Sequence, residues 1–208
     1  MIGNRKEASR AAFDRMAAEY DQSRVGVHAR RHDRPLLEQI SRFPFWQLLD
    51  VGCGTGELLK QLAALYPQKQ LAGVDLSEKM VEEARRKLPA QVTVLAGDGE
   101  RLPFPAGSFD LVTCCDSFHH YPDPRRAAEE FCRVLRPGGQ VILCEYWQPG
   151  PVRWLMNALL PYSDEGDVRI YSRRELAALL SQGGLAEVAV KKTGPTAVMA
   201  LGQRPTKP

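Results

Sequence analysis

The sequence predicts an α/β fold: a doubly wound, mostly parallel sheet of seven strands that closes with an antiparallel C-terminal hairpin strand. After residue 46, short apolar strands alternate with amphipathic helices, the pattern of a parallel sheet covered on both faces. A glycine-rich turn at residues 50–56 joins the first strand to the first helix. Only residues 193–195 separate the last two strands, too few for a crossover helix, so the final strand must run antiparallel.

The individual elements follow from hydrophobic periodicity and from the residues that cap helices. Strands are predicted at residues 47–51, 70–76, 92–96, 109–115, 140–145, 186–191 and 197–201. Helices are predicted at residues 57–66, after the N-cap Ser77, and from Asp123 and Pro124 to a stop at residues 136–139. A capping box at residues 172–175 opens the last helix, which residues 183–184 end.

Two segments lie outside this alternation, and both are expected over the carboxyl edge of the sheet. Residues 7–21 are predicted to be helical, because apolar side chains follow helical spacing from Phe13 to Tyr20. Residues 148–170 form an insert with an apolar, helix-like core at 152–160. Large apolar side chains in and beside the insert either contact a substrate or pack the insert onto the sheet: Trp147, Trp154, Leu155, Met156, Leu159 and Tyr162.

Composition excludes several classes of protein. The 208 residues suit one domain, and 44% hydrophobic with 25% charged residues is the globular average. We expect no membrane span and no secretory signal, hence a cytosolic protein, because no long apolar run is present and the N-terminus lacks an apolar core. Five cysteines without a CxxC pair predict neither a disulfide framework nor a metal site, and we expect buried, reduced thiols.

The net charge of +3 lies wholly in residues 1–34, which hold eight basic and five acidic side chains, whereas the rest holds twenty of each. The basic residues are densest at 28–34, a tract that could contact phosphate or an acidic substrate. Because acids are interleaved, the field is weak. We therefore expect a solvated helical face there and no nucleic-acid partner.

Three features at successive strand ends indicate a nucleoside-binding site. The glycines of residues 50–56 let the backbone turn tightly beside a ligand, in the crevice where open α/β sheets bind nucleotides. Asp75 ends the second strand, where an acid can accept hydrogen bonds from ribose hydroxyls. Asp98, between two glycines after the third strand, can accept from an exocyclic adenine amine. The alternative is that Asp75 and Asp98 only cap turns.

Together these motifs resemble the class I S-adenosylmethionine-dependent methyltransferases of the small-molecule type, the group that includes ubiquinone/menaquinone C-methyltransferases. The resemblance runs over nearly the whole chain. It is carried by residues 13–14 (FD), 20–21 (YD), 50–56 (DVGCGTG), 73–77 (GVDLS), 97–104 (GDGERLPF), 108–112 (SFDLV) and 133–139 (RVLRPGG).

The resemblance implies a Rossmann-like fold, S-adenosyl-L-methionine as cofactor, a small-molecule substrate and one domain, 1–208. Its parts would be an N-terminal helical cap at 1–46, a cofactor-binding core at 47–147, the substrate-side insert at 148–170, and the C-terminal helix and hairpin at 171–208. It also implies the residues that contact the cofactor: Tyr20, Asp50, Gly52, Cys53, Gly54, Asp75, Leu76, Asp98, Gly99 and Cys115.

Each of these residues has an implied role. Asp50, Gly52 and Gly54 would line the methionine moiety, Tyr20 would close over it, and Cys115 would offer backbone to its amine. Asp75 would bind ribose, with Leu76 beside the adenine, and residues 98–99 would hold the adenine edge. Relatives often carry alanine in place of Gly99, and we expect that departure to change little because the backbone amide is retained.

Other readings remain open at this point. An NAD-dependent oxidoreductase would share the fold and the ribose acid, but Glu57 stands where GxGxxG needs its last glycine, and no Tyr-x-x-x-Lys pair is present. Nucleic-acid amino-methylation would want an Asn/Asp-Pro-Pro-aromatic motif where residues 115–118 read CDSF. A module that binds the cofactor without catalysis is also compatible with the sequence. An apolar or aromatic acceptor is suggested only by the insert.

The candidate catalytic residues are His119 and His120, just past the fourth strand. In methyl transfer the leaving group is already activated, so positioning does most of the work and a base is needed only for some acceptors. A phenolic or enolic acceptor would need one, and histidine suits it at neutral pH. Neighbouring side chains point opposite ways in extended chain, so we expect one histidine, His120, to face the pocket. The alternative is that both only form the pocket wall or cap the next helix.

Overall fold

The structure is a computed structural model that describes residues 2–160 and 166–206. Within these residues the strands form one seven-stranded sheet with the order β3-β2-β1-β4-β5-β7-β6. The strands are β1 (Gln47–Val51), β2 (Gln70–Asp75), β3 (Thr93–Ala96), β4 (Phe109–Cys115), β5 (Leu135–Tyr146), β6 (Ala186–Gly194) and β7 (Ala197–Gln203).

Strands β1 to β5 are parallel to one another, whereas β7 pairs antiparallel with both β5 and β6. The strand order reverses between β1 and β4, which makes a topological switch point at their carboxyl ends. The predicted fold class and closing hairpin are therefore confirmed, and the crevice lies where the glycine-rich turn leaves β1.

Helices cover both faces of the sheet. They are α1 (Ile2–Met16), α2 (Arg24–Ala29), α3 (Asp33–Ile40), α4 (Glu57–Leu65), α5 (Glu78–Lys87), α6 (Pro124–Val134), α7 (Gly150–Leu159) and α8 (Arg173–Gln182). Apolar side chains of α3, α4 and α5 pack on one face, and those of α6 and α8 pack on the other, where Phe131 and Leu176 are fully buried. The predicted caps are confirmed, since the side chains of Ser77, Asp123 and Ser172 each accept a hydrogen bond from the first turn of their helix.

Two predicted boundaries are wrong. The N-terminal helix spans Ile2–Met16 and continues as a 3-10 turn over Ala17–Gln22, rather than as an α-helix to residue 21. Residues 136–139 do not simply end a helix. They lie inside β5 as a bulge opposite β4, because Leu135 pairs with Phe109 before the regular register resumes. A φ of +82° at Gly138 permits this bulge.

No helix in the described part of the chain is long and apolar enough to cross a membrane. The insert contains helix α7, close to its predicted position. Tyr162 lies outside the described residues.

Candidate functional site

The glycine-rich turn is held by Asp75, across the switch point from it. Gly52, Gly54 and Gly56 all have positive φ, so the turn requires glycine. The Gly54 amide donates to Oδ2 of Asp75 over 2.8 Å, and the Ser77 amide donates to Oδ1 over 2.9 Å. Burial raises the pKa of Asp75, although these backbone donors oppose the shift. Asp75 thus joins the first two strand ends and still faces a cavity.

That cavity, called the inner cavity here, has a volume of about 680 Å³ and opens at the carboxyl ends of β1, β2 and β4. It brings together eight of the residues singled out from the sequence: Tyr20, Gly52, Asp75, Leu76, Asp98, Gly99, Cys115 and His120. The cavity thus holds one carboxylate at each of two strand ends, which matches a ribose diol and an exocyclic amine.

A smaller pocket of about 470 Å³ lies behind Tyr20 and contains Asp50, Gly52 and Cys53. Thr113 donates from Oγ1 to Oδ1 of Asp50 over 2.8 Å. Burial raises the pKa of Asp50 to about 7, against the effect of this hydrogen bond. Gly54 lines neither pocket; an added Cβ there would meet only Tyr20, at 3.9 Å.

Lys6 is a site residue that sequence reasoning missed. Its Nζ atom lies 2.6 Å from Asp98 Oδ2 and 2.5 Å from Glu100 Oε2, so helix α1 is joined to the end of β3. Burial would lower the pKa of Lys6, but the hydrogen bonds and charges of these two acids outweigh it and raise the pKa. Lys6 and Asp98 are 92 residues apart along the chain, so no local sequence pattern predicts this contact.

Ser117 and Tyr121 were also missed, although their position just past β4 could have indicated them. The Tyr121 hydroxyl lies 3.1 Å from Ser117 Oγ, and both residues line the inner cavity. A Cβ added at Gly52 would lie 2.0 Å from Ser117 Oγ, and one added at Gly99 would lie 3.0 Å from the Tyr121 ring. The glycine at position 99 therefore makes room for Tyr121, so its departure from alanine has a steric basis that the sequence did not reveal.

A second cavity of about 1000 Å³, the outer cavity, adjoins the inner one. The two share the side chains of Phe13, Tyr20, Asp116 and His120. The rest of the outer wall is largely apolar, with polar groups at Arg24, His28, His119 and Asp167; its other members are Val25, Tyr146, Met156, Leu160 and Ile170.

Both candidate histidines line the outer cavity, so the expectation that only one would face it is wrong. The reason is that Phe118–His120 form a 3-10 turn and not extended chain. His119 Nδ1 lies 2.7 Å from Glu145 Oε2. Burial would lower the pKa of His119, but Glu145 outweighs it and raises the pKa to about 10. Burial and the neighbouring His119 charge lower the pKa of His120 well below its usual range.

His120 stands at the boundary between the cavities. Its ring packs edge-on against Phe13 at a centroid distance of 5.2 Å. Its Nδ1 atom is buried, makes no hydrogen bond among the described residues, and lies 3.4 Å from Oδ1 of Asp167. A neutral imidazole beside a fixed imidazolium can accept a proton while the neighbouring cation stabilises negative charge.

The insert contributes less to this wall than its composition suggested. Met156 and Leu160 line the outer cavity, whereas the side chains of Trp154, Leu155 and Leu159 are exposed to solvent. Trp147 packs against the core beneath Lys192. Helix α7 has one cavity-facing side and one solvent side, because it is amphipathic and covers the cavity rather than the sheet.

The basic tract at residues 28–34 is also not a simple solvated face. Arg31 and Arg34 are exposed, but His32 is buried and His28 lines the outer cavity. The four-residue spacing of the histidines places them together on the inward side of the turn from α2 to α3.

The chain is similar in sequence to known methyltransferases. Residues 49–143 match the family model described as a methyltransferase domain. The chain is 29% identical to a demethylmenaquinone methyltransferase of Bacillus cereus over 99% of both chains, and 38% identical to nocamycin O-methyltransferase of Saccharothrix syringae over 71% of this chain and 54% of that one.

Similarity of fold extends to solved structures. A methyltransferase of Haloferax volcanii, solved in complex with the Trm112 methyltransferase activator, superposes with a TM-score of 0.76 at 22% identity, covering 93% of this chain and 97% of that one. The sequence matches favour a sulfonium cofactor over the dinucleotide of the oxidoreductase alternative.

Proposed function

We propose a methyl acceptor for this chain, which is a class I S-adenosylmethionine-dependent methyltransferase resembling the quinone methyltransferases. The proposed acceptor is a small apolar ring compound with a phenolic or enolic hydroxyl. The enzyme transfers the methyl group of S-adenosylmethionine to a small molecule. The observation that carries the finer proposal is the pair His119 and His120 in the wall of a largely apolar cavity, with His119 Nδ1 2.7 Å from the buried carboxylate of Glu145.

The inner cavity would hold the cofactor. Asp75 would accept hydrogen bonds from the ribose hydroxyls, with Leu76 beside the adenine and Asp98 at its amine. Asp50, Gly52 and Cys53 would surround the methionine moiety, with Tyr20 over it and Cys115 offering backbone. Gly54, which lines neither pocket, would act by fixing the turn through its hydrogen bond to Asp75. These acceptors support the assignment, because the carboxylates of Asp75 and Asp98 lie at successive strand ends.

The outer cavity would hold the acceptor. Tyr20 and His120 belong to both cavities, so an acceptor in the outer one lies next to a methyl group presented from the inner one. Apolar walls exclude water, and holding two reactants in line supplies most of the rate acceleration that methyl transfer needs. The printed name of the Bacillus cereus relative, demethylmenaquinone methyltransferase, supports an apolar, quinone-type acceptor.

His120 would accept the proton of the acceptor hydroxyl, and His119 would stabilise the negative charge that forms on its oxygen. His120 would accept the proton as a neutral imidazole; burial and the His119 charge lower its pKa and oppose this step, and Asp167, with Oδ1 3.4 Å from its Nδ1, would stabilise the imidazolium that forms. A charge-stabilising group must stay cationic, which the ion pair with Glu145 favours for His119. A proton acceptor of this kind contributes roughly 10²–10⁴-fold in rate.

The test is a screen of the purified protein against phenols, enols and reduced quinones, with amines and thiols as the comparison set and S-adenosylhomocysteine as the readout. Turnover confined to the hydroxyl-bearing rings is expected. Turnover with amines or thiols alone would contradict the acceptor class, and no turnover with any acceptor, despite cofactor binding, would favour the non-catalytic module. The cytosolic location remains a prediction.

A further inference from the structure

We propose that His28, His32 and Asp116 form a binding site for one divalent transition-metal ion at the edge of the outer cavity. His28 lies in α2 and His32 ends the following 3-10 turn, while Asp116 directly follows β4. One ligand atom from each residue can be chosen so that all three lie within 4.8 Å of one another. The four-residue spacing of His28 and His32 fits two ligands of one metal ion, but nothing in the sequence indicated Asp116 as the third.

The ligand atoms of this group are not used by other contacts in the described residues. Oδ1 of Asp116 is buried and accepts no hydrogen bond, and the Asp116 side chain is only 10% exposed. Nε2 of His32 lies 4.0 Å from this oxygen, too far for a hydrogen bond. A ring nitrogen of His119 also lies within 4.8 Å of the Asp116 carboxylate, but Oδ1 itself is buried without a hydrogen bond among the described residues. Such burial is costly, so an ion bound at Oδ1 would stabilise this arrangement.

The backbone at Asp116 supports a functional role. Its φ of +49° is in the left-handed region, which residues other than glycine rarely adopt. Such conformations persist where the surrounding structure enforces them, and they are concentrated at ligand sites. Asp116 is fixed there by its amide, which donates to the Cys144 carbonyl over 2.8 Å.

The donor set determines the class of ion. Two imidazoles and one carboxylate suit first-row ions such as Zn²⁺, Co²⁺ or Fe²⁺, which leave further coordination positions open in such sites. Metal–ligand distances of about 2.0–2.2 Å require the three side chains to move closer by roughly 1 Å. His28 and Asp116 line the outer cavity, so the open positions would face the acceptor.

The neighbouring histidine cluster is a poorer candidate. His119 and His120 lie near Asp167, and their ligand atoms also converge. However, His119 Nδ1 is engaged by Glu145 at 2.7 Å, and a protonated imidazole has no lone pair to offer a metal. The two clusters can therefore be distinguished by substitution.

The experiment uses the full chain, treated with a chelator and then titrated with Co²⁺, whose visible absorption bands report coordination by protein ligands. One equivalent is expected to bind and to be displaced by Zn²⁺. Asp116→Asn and His32→Gln should each weaken Co²⁺ binding at least tenfold, whereas His120→Gln should leave it within twofold. Thermal unfolding of each metal-free variant checks that it folds. If His32→Gln does not fold, the more conservative Asp116→Asn carries the test.

Three results would overturn the proposal: absence of visible bands on titration, equal loss of binding in His120→Gln, or unchanged binding in Asp116→Asn. The titration contains neither cofactor nor acceptor. Its failure would therefore leave the proposed methyl acceptor untouched, and a failed acceptor screen would not affect the metal result.

Discussion

Nδ1 of His119 lies 2.7 Å from Oε2 of Glu145, whose side chain is 2% exposed. The other carboxylate oxygen of Glu145 accepts hydrogen bonds from the amides of Ser117 and Phe118. One buried acid at the end of β5 therefore shapes the turn after β4 and keeps its first histidine protonated. The adjacent His120, with ring centroids 4.2 Å apart, is kept neutral by burial and by that charge.

Glu145→Gln is expected to lower the pKa of His119 from about 10 and to raise that of His120, because the variant removes the negative charge that holds His119 protonated. NMR titration of the imidazole resonances measures both shifts. Glu129→Gln, which alters an ion pair at the exposed side of α6, is the matched control. Unchanged titration of His119 in Glu145→Gln would show that another group holds its proton.

The same ion pair makes stability depend on pH. Since the pKa of His119 is higher in the folded chain than its usual 6.5, its contribution is fully present below about pH 6.5 and is lost as pH rises toward about 10. Denaturant unfolding of the native protein should therefore show stability falling over this range, and the fall should be smaller in Glu145→Gln. Equal pH dependence in both proteins would contradict this assignment.

His120→Ala should lower turnover roughly 10²-fold or more on a hydroxyl-bearing acceptor, while the affinity for the cofactor stays within about twofold. The rate of the native enzyme should fall where acid protonates His120, at pH values below the usual pKa range of histidine, and the rate of the variant should not show this fall. Steady-state kinetics across pH, with cofactor affinity measured by calorimetry, makes the comparison. Normal turnover with the same pH profile would leave positioning as the sole catalytic device.

Asp75→Ala should weaken binding of S-adenosylhomocysteine about tenfold or more, because a hydrogen bond to a charged group contributes roughly 1.5–3 kcal/mol. Asp75→Asn, which retains one acceptor oxygen for the Gly54 amide, separates loss of the ribose contact from loosening of the turn. Asp123→Ala is the control, since it removes an N-cap without altering the inner cavity lining. Native affinity in a folded Asp75→Ala protein would mean that the residue acts only on the backbone.

Gly99→Ala should destabilise the fold or weaken cofactor binding by roughly 1–3 kcal/mol, the usual cost of overpacking. The added Cβ would lie 3.0 Å from the Tyr121 ring and 3.1 Å from its hydroxyl. Adding Tyr121→Phe should recover part of the loss, which a double-mutant cycle of melting temperatures and affinities detects. Gly150→Ala, with no atom within 4 Å of its added Cβ, is the control. Full tolerance of Gly99→Ala would show that Tyr121 moves freely.

The local sequence was sufficient to predict the helices and strands and most of the inner cavity. The periodicities that predicted strands and helices arise from burial on one or both faces, and the caps at Ser77 and Ser172 act within a few residues of their helices. The positions of Asp75 and Asp98 followed because parallel strands bring their carboxyl ends to one edge.

Tertiary structure alone decided the contacts between distant segments. Lys6 meets Asp98, Glu145 meets His119, and Asp116 approaches His32, each across a separation that no local pattern records. These pairs determine which histidine carries a proton and which carboxylate lacks a partner, because charge and burial depend on neighbours in space. The sequence by itself therefore determined the fold and the edge of the sheet where the inner cavity lies. Packing of the N-terminal helices and of the turn after β4 decided the chemistry of the outer cavity.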